Sequence, residues 1–331
     1  MSKFSLIVPV YNRPEEVAEL LQSLESQSVK NFEILLVEDA ANLPCDKIAA
    51  QYADKINVRY FNVPNTDRSF RRNFGIEQAQ SDYFVFTDSD CILPPQYFEN
   101  LEKNLTENYS DCFGGPDAAH ESFSDVQKAI SFAMTSFLTT GGIRGGKNQM
   151  EKFKPRTFNM GFSRAVFEKA GGFKNMFGED IDLSIRIINA GFRTILYKDV
   201  FVFHKRRVSF KKFFKQVHNF GVARVNLAIL HKKSLKPVHT APAILLVGLV
   251  VIMLLSILCT PLWLILPAIY TLLLFADALL KTQKLKTAFL AVWASFIQII
   301  AYGIGFSKSF FQKIIFRRGL ESEETLKKVY N

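Results

Sequence analysis

Asp88, Ser89 and Asp90 come directly after an apolar run, Tyr83–Thr87 (YFVFT). Two carboxylates at i and i+2 on a turn reach one ligand from the same side. Hard divalent cations take such oxygen ligands and keep phosphate and water as further partners. A second acidic pair, Glu38-Asp39, ends the run Phe32–Val37, the place of a nucleoside contact in a βα unit. Arg68, Arg71 and Arg72 precede the DxD turn; guanidinium matches diphosphate oxygens through paired hydrogen bonds. Gly178-Glu179-Asp180 opens the helical pattern IDLSIRIINAG. Acids there either partner a helix dipole or, beside an acceptor hydroxyl, serve as general base. His204 closes the pattern VFVFH, an imidazole able to complete a cation site with the DxD pair.

These residues need a scaffold that brings strand ends together. FSLIVPV (Phe4–Val10), Phe32–Val37, NVRYFNV (Asn57–Val63) and YFVFT read as short, continuously apolar strands. Helix patterns intervene after Pro14 and from Ser69, the expected cap, through Ala79. That alternation predicts an α/β fold with a mixed, mostly parallel sheet, whose ligands bind at the carboxyl ends of strands. Four scattered cysteines without a CxxC pair read as reduced thiols. No signal peptide is visible, so the first 205 residues are expected in the cytoplasm.

The net charge of +10 is uneven: residues 193–240 carry 12 Lys/Arg against the single acid Asp199. Such a block suits nucleic acid or anionic lipid. The next three stretches, 241–259, 262–280 and 288–306, hold Asp277 as their one charge. Each stretch approaches the ~20 residues that cross a ~30 Å hydrocarbon layer. The block is therefore read as a membrane-surface element, not a nucleic-acid site. Within it, Ser209–Leu230 predicts an interfacial helix with Phe210, Phe213, Phe214, Val217, Phe220 and Val225 at helical spacing and Lys211, Lys212 and Lys215 toward phosphates. The sequence contradicts itself on the third stretch. Lys232, Lys233, Lys236, Lys281, Lys284 and Lys286 suit the cytoplasm if two segments form a hairpin turning at Thr260-Pro261. A third crossing would export Lys308, Lys313, Arg317 and Arg318, so the stretch is either re-entrant or interfacial or carries the tail across despite its charge. Gln298, Tyr302, Gly303 and Gly305 make it the least lipid-like of the three, while its length and lack of charge favour a crossing.

The order of motifs resembles a family 2 glycosyltransferase of GT-A fold over residues 4–204. The matching pieces are VPVYNR (Val8–Arg13), VED (Val37–Asp39), RRNFGI (Arg71–Ile76), TDSDC (Thr87–Cys91), FNMGFSR (Phe158–Arg164), GGF (Gly171–Phe173), GEDIDLSIRI (Gly178–Ile187) and His204. The resemblance implies that Pro9, Tyr11 and Arg13 line the nucleotide pocket, that Asp39 contacts base or ribose, and that Arg72 sits near the nucleotide. It places Asp88 by the ribose and metal and makes Asp90 a direct ligand of Mg2+ or Mn2+, with His204 completing the shell. Asn159, Met160 and Gly161 would face donor sugar and acceptor, and Glu179 would belong to the substrate site. Asp180 would be the catalytic base of an inverting displacement.

Two departures matter. Glu38-Asp39 is followed by Ala40-Ala41 rather than small polar residues. Gln216-Val217-His218-Asn219-Phe220 lacks the Arg-Trp pair of processive polysaccharide synthases, which disfavours that alternative. His204, Arg207, Gln216 and Gly221 instead resemble membrane-anchored enzymes that add one sugar to a lipid-linked acceptor. The resemblance thus implies a nucleotide-sugar donor, UDP-linked, a polyprenyl diphosphate acceptor, and a multi-pass inner-membrane protein with its catalytic domain in the cytoplasm. Expected domains are 1–205 catalytic, 206–238 basic and interfacial, 239–306 membrane, and 307–331 a charged tail. A membrane-anchored nucleotide-sugar binding protein without activity is the rival from another class. The glycine run Gly141–Gly146 reads as an acceptor-side loop or a plain surface loop. The sugar, its linkage and the oligomeric state stay open.

Overall fold

The computed structural model describes residues 3–39, 42–141, 153–205, 207–232 and 234–317. The chain divides into two compact units, Met1–His120 with Phe153–Lys205, and Glu121–Lys152 with Arg206–Asn331. The expected catalytic span, 1–205, is thus interrupted by a segment that folds with the other unit.

The first unit begins with β1 (Phe4–Val10), α1 (Pro14–Glu25), β2 (Phe32–Glu38), α2 (Asp46–Tyr52), β3 (Val58–Asn62), α3 (Arg68–Gln78) and β4 (Tyr83–Phe86). It continues through β5 (Cys91–Ile92), α4 (Tyr97–Glu107), β6 (Cys112–Gly114) and β7 (Asp117–Ala118). The chain then leaves for the other unit through α5 (Asp125–Thr135) and α6 (Phe137–Thr140). It returns with β8 (Met160–Ser163), α7 (Arg164–Ala170), α8 (Glu179–Asn189), β9 (Thr194–Leu196) and β10 (Val202–His204).

Seven strands form one sheet in the order β3-β2-β1-β4-β8-β6-β9. β1 to β4 run parallel, and only β8 runs against its neighbours. β1, β2 and β4 are mostly apolar and almost wholly buried because helices cover both faces, with Leu6, Val8, Ile34 and Val85 buried on one and Ile7, Leu35, Phe84 and Phe86 on the other. A second sheet, β5-β10-β7, stands at the site. Helix α3 starts one residue before the expected cap. Asp67 is the cap, its carboxylate accepting from the Ser69 and Phe70 amides, a stronger arrangement than a serine already inside the helix. The Ser69 hydroxyl instead donates to the Lys174 carbonyl.

The second unit continues with α9 (Phe210–Leu230), α10 (Pro237–Leu258), a 3-10 turn Pro261–Leu264, α11 (Ile265–Thr282), α12 (Leu285–Phe310) and a wide turn Phe311–Ile315. Ser209 caps α9, accepting from the Lys212 amide. Phe213, Val217 and Val225 are buried, while Lys211, Lys212, Lys215 and also Phe214 are exposed. Ala129, Ala133, Phe213, Val217, Ala288, Ala291 and Ala294 share one core, so the expected interfacial helix packs on protein along its apolar side. Beyond Gly141, the glycine run lies outside the described residues, as do Ala40-Ala41, Lys233 and the tail from Arg318.

Candidate active site

β1, β2 and β4 are parallel, so their carboxyl ends reach one edge of the sheet. β8 runs against β4 with Phe86 beside Met160, which brings its start to the same edge. The turn after β4 carries Asp88 and Asp90. Asp90 Oδ2 accepts from Arg13 Nη1 at 3.0 Å, and its Oδ1 lies 3.3 Å from His204 Nε2. Arg13, expected in the nucleotide pocket, therefore sits on the DxD turn. Strand pairing explains the approach of the histidine: β10 runs against β5 with His204 beside Cys91, the residue after Asp90.

His204 is held on two further sides. Its ring stacks on Phe158 with centroids 5.1 Å apart, and its Nδ1 lies 3.8 Å from Asp117 Oδ2. The register pairs Asp117 with Val202, so Asp117 and His204, two residues further on, project from one face of the small sheet. The sequence reading missed Asp117. A strand of two residues leaves no alternation to read, and GGPD by itself resembles a turn.

A second chain of contacts starts at Asp88. Its Oδ1 accepts from Arg72 Nη2 at 3.0 Å, and Arg72 Nη1 donates to Glu179 Oε1 at 3.0 Å. Glu179 Oε1 also lies 3.0 Å from Arg68 Nε. Arg72 and Glu179 are 2% and 3% exposed. Glu179, expected in the substrate site, is thus placed behind Arg72 and faces guanidinium on both sides. Burial pushes its carboxyl above the ordinary value, against the opposing pull of the Arg72 charge. Gly178 precedes α8 at φ 95°, a left-handed turn that glycine adopts without Cβ strain.

Asp180 comes next at the start of α8, part-exposed, with Oδ1 accepting from the Ile181 amide at 2.8 Å. Arg156 Nη1 lies 3.9 Å from Asp180 Oδ2. Arg156 is a second residue the sequence reading missed: it lies between motifs, with no pattern of its own.

On the β1–β2 side, Asp39 Oδ1 accepts from the Asn65 amide at 3.1 Å and its Oδ2 lies 3.5 Å from Arg71 Nη1. The Arg71 guanidinium stands 6.0 Å from the Tyr11 ring, which is 50% exposed. Tyr11, Arg71 and Asp39 form a patch with an open aromatic face, and Pro9 precedes it at the end of β1. Glu38 points the other way. It is fully buried, and its Oε2 accepts from the Cys45 amide and the Tyr60 hydroxyl, each at 2.8 Å. Strand alternation separates the two acids, leaving Asp39 on the edge. Burial, then the nearby Glu38, pushes the Cys45 thiol up to about 12.

Asn159, Met160 and Gly161, expected to face the donor, are buried. Asn159 Oδ1 accepts from Tyr97 at 2.7 Å and its Nδ2 donates to the Val200 carbonyl at 2.8 Å. A Cβ at Gly161 would meet Phe113 at 2.4 Å. These side chains are held inside the sheet because they lie on β8 or brace its first residue.

The donor set fits a divalent cation. One ligand atom each from Asp90, Cys91 and His204 falls within 4.8 Å of the others. Burial pushes the Cys91 thiol well up, which leaves carboxylate and imidazole as the working donors. Oxygen and nitrogen donors on a turn that leaves an open side suit Mg2+ or Mn2+.

Residues 5–171 match the family described as Glycosyl transferase family 2. An uncharacterized glycosyltransferase of Rickettsia felis is 34% identical over 107 residues, 32% of this chain but only 18% of that protein. Glycosyltransferase AglE of Haloferax volcanii is 25% identical over 261 residues, 74% of this chain and 80% of its own. Among solved structures, mannosyltransferase PcManGT of Pyrobaculum calidifontis, determined with GDP-Man and Mn2+, superposes with a TM-score of 0.64. The match covers 94% of this chain and 88% of that one at 17% identity, and at that identity it establishes the GT-A fold.

Proposed function

This chain belongs to glycosyl transferase family 2, and from that premise we propose that it is an inverting, metal-dependent transferase. It moves one sugar from a nucleotide-sugar, UDP-linked, to a lipid-linked acceptor such as a polyprenyl diphosphate at the cytoplasmic membrane face, in polysaccharide or glycan synthesis. One observation carries the reading. Arg72 bonds both Asp88 of the DxD turn and Glu179 of the base turn, so one buried guanidinium ties the donor side of the site to the residue beside Asp180. The PcManGT complex with GDP-Man and Mn2+ supports a nucleotide-sugar donor and a cation.

Each residue then has a task. Tyr11 offers an aromatic face to the base, and Asp39, held by the Asn65 amide and Arg71, accepts from base or ribose. Asp90 and His204, with Asp88 alongside, would hold Mg2+ or Mn2+, which supplies positive charge against the diphosphate leaving group. Asp180 takes the proton of the acceptor hydroxyl as that oxygen bonds to the anomeric carbon. The bond from that carbon to the diphosphate breaks on the opposite face, and its electron pair leaves with the diphosphate. Configuration inverts and no covalent nucleophile is needed. Arg156 orients the Asp180 carboxylate, while Glu179 acts through Arg72 without touching substrate.

The test is nucleoside diphosphate release by the detergent-solubilised full chain, across a panel of nucleotide-sugars with extracted lipid-linked intermediates, with and without Mn2+. Release that needs both lipid extract and cation is expected. Binding of a nucleotide-sugar with no release under any combination would favour a non-catalytic binding protein.

A further inference from the structure

Three stretches of the second unit, Pro237–Leu258, Pro261–Thr282 and Leu285–Ile315, are long and apolar enough to cross a membrane. Their surroundings differ. Only 6% and 11% of the most apolar windows of the first two are buried, against 50% of the third. Beyond Ala243 no residue of α10 is buried, and Ile244, Val247, Val250 and Leu254 are exposed; a helix apolar on every side is stable only inside hydrocarbon or a large core. α12 has one bare stripe, Leu285, Phe289, Trp293 and Ile304.

The partners of α12 locate it in depth. Phe289 packs on Phe275, in the second half of α11, and Phe296 on Tyr270, near the middle of the stretch Pro261–Thr282. Further along, a Cβ on Gly303 would stand 3.0 Å from the Pro242 carbonyl, and Phe306 shares a cluster with Ala243. Both contacts are to the first half of α10. If α10 and α11 each cross, the turn at 259–264 lies on the far side. The first half of α10 and the second half of α11 then lie on the near side. α12 starts beside that half of α11, reaches no further than Tyr270 in these contacts, and comes back to the near half of α10 at Gly303 and Phe306.

The other flanks of α12 are covered by charged, amphipathic helices. Its Thr287 hydroxyl donates to Asp125 of α5 at 3.0 Å, and Lys286 pairs with the same carboxylate at 3.1 Å. Gly221 of α9 approaches so closely that a Cβ there would meet the Tyr302 carbonyl at 2.4 Å. α9 carries exposed Lys211, Lys212 and Lys215, charges that are costly in hydrocarbon.

We infer that α12 does not cross. It lies along the near face of the bilayer, its Leu285–Trp293 stripe against lipid and α5 and α9 on its water side. Among the described residues the chain has two crossings, and Lys308 to Arg317 share the side of α5 and α9. Charge agrees: Lys232 and Lys236, then Lys281, Lys284 and Lys286, then Lys308, Lys313 and Arg317 all fall on one side, while 259–264 carries no charge. The inference rests on the membrane attachment in the proposed function and not on donor, acceptor or activity.

Two probes on the full chain test it. Cys259, the exposed native thiol at the far turn, should react with an impermeant maleimide in intact bacterial cells. Exposed Lys308, as Lys308→Cys in a Cys259→Ser background, should be unlabelled in intact cells and labelled after permeabilisation. Independently, a C-terminal green fluorescent protein fusion should fluoresce and a C-terminal alkaline phosphatase fusion should be inactive. Labelling of Lys308→Cys in intact cells, or an active phosphatase fusion, would overturn the inference while leaving membrane attachment intact. Cys259 reactive only after permeabilisation would overturn the two crossings. Release of the wild-type chain by alkaline carbonate would overturn attachment itself, and the inference with it.

Discussion

The two units treat burial in opposite ways. The catalytic unit buries charge: Arg72, Glu179, Glu33 and Glu38 are all under 4% exposed. The membrane unit exposes hydrocarbon: Ile257, Leu258, Leu262 and Leu272 are each more than 60% exposed. Each is costly in water and each marks a task. An isolated buried ion costs several kcal/mol unless paired; Arg72 and Glu179 are paired with each other, and Arg72 also reaches Asp88 of the DxD turn. Large bare apolar surfaces are rare on soluble chains, and those of the second unit lie on helices long and apolar enough to cross a membrane.

Substitutions that exchange these environments should give effects in a definite order. Asp90→Asn takes a charged donor from the cation site, and turnover should fall below detection across Mg2+ and Mn2+ concentrations, with weaker metal-dependent UDP binding by calorimetry. Near wild-type turnover would remove Asp90 from the site. Asp180→Asn should lower kcat by about 10²–10⁴, the range for a lost general base, while donor affinity stays near wild type. A large affinity loss with kcat kept would make Asp180 a binding residue instead.

Glu179→Ala leaves Arg72 buried without one carboxylate and should destabilise the catalytic unit by about 3–5 kcal/mol, read by chemical denaturation; Glu179→Gln should retain part of that. If Glu179→Ala were neutral, the tie between the two turns would not hold the site. In the other unit, Val250→Arg at the middle of α10 should oppose insertion by about 2.5–3.5 kcal/mol, seen as loss from the carbonate-washed membrane fraction. No loss would place α10 out of the lipid. The smallest effect should come from Asp117→Asn, which loosens the support of His204. Mn2+ affinity, measured by electron paramagnetic resonance, should fall about 10–100-fold with the fold unchanged. An unchanged affinity would leave Asp117 purely structural.

Much of this was legible in the sequence where one residue type serves one purpose over several neighbours. β1, β2 and β4 are mostly apolar because both faces of the sheet are covered, and the acids at or after their ends stand out by contrast. The small sheet was not legible. Its strands have two or three residues, too few for periodicity, yet its register brings His204 to Asp90 and Asp117. Asn159 and Glu179 read as polar residues beside a site; only packing shows that each is consumed by buried partners. α12 marks the limit of hydropathy. Gln298, Tyr302, Gly303 and Gly305 already set it apart in the sequence, but its length and lack of charge still suited a crossing; that its glycines admit neighbouring helices shows only in the packing.

The most direct test of the central claim is the stereochemistry of the transferred sugar. With a nucleotide-sugar of α configuration and a lipid-linked acceptor, proton NMR of the first-formed product should show a β linkage, as a single displacement assisted by Asp180 requires. An α linkage would mean retention and would contradict the account.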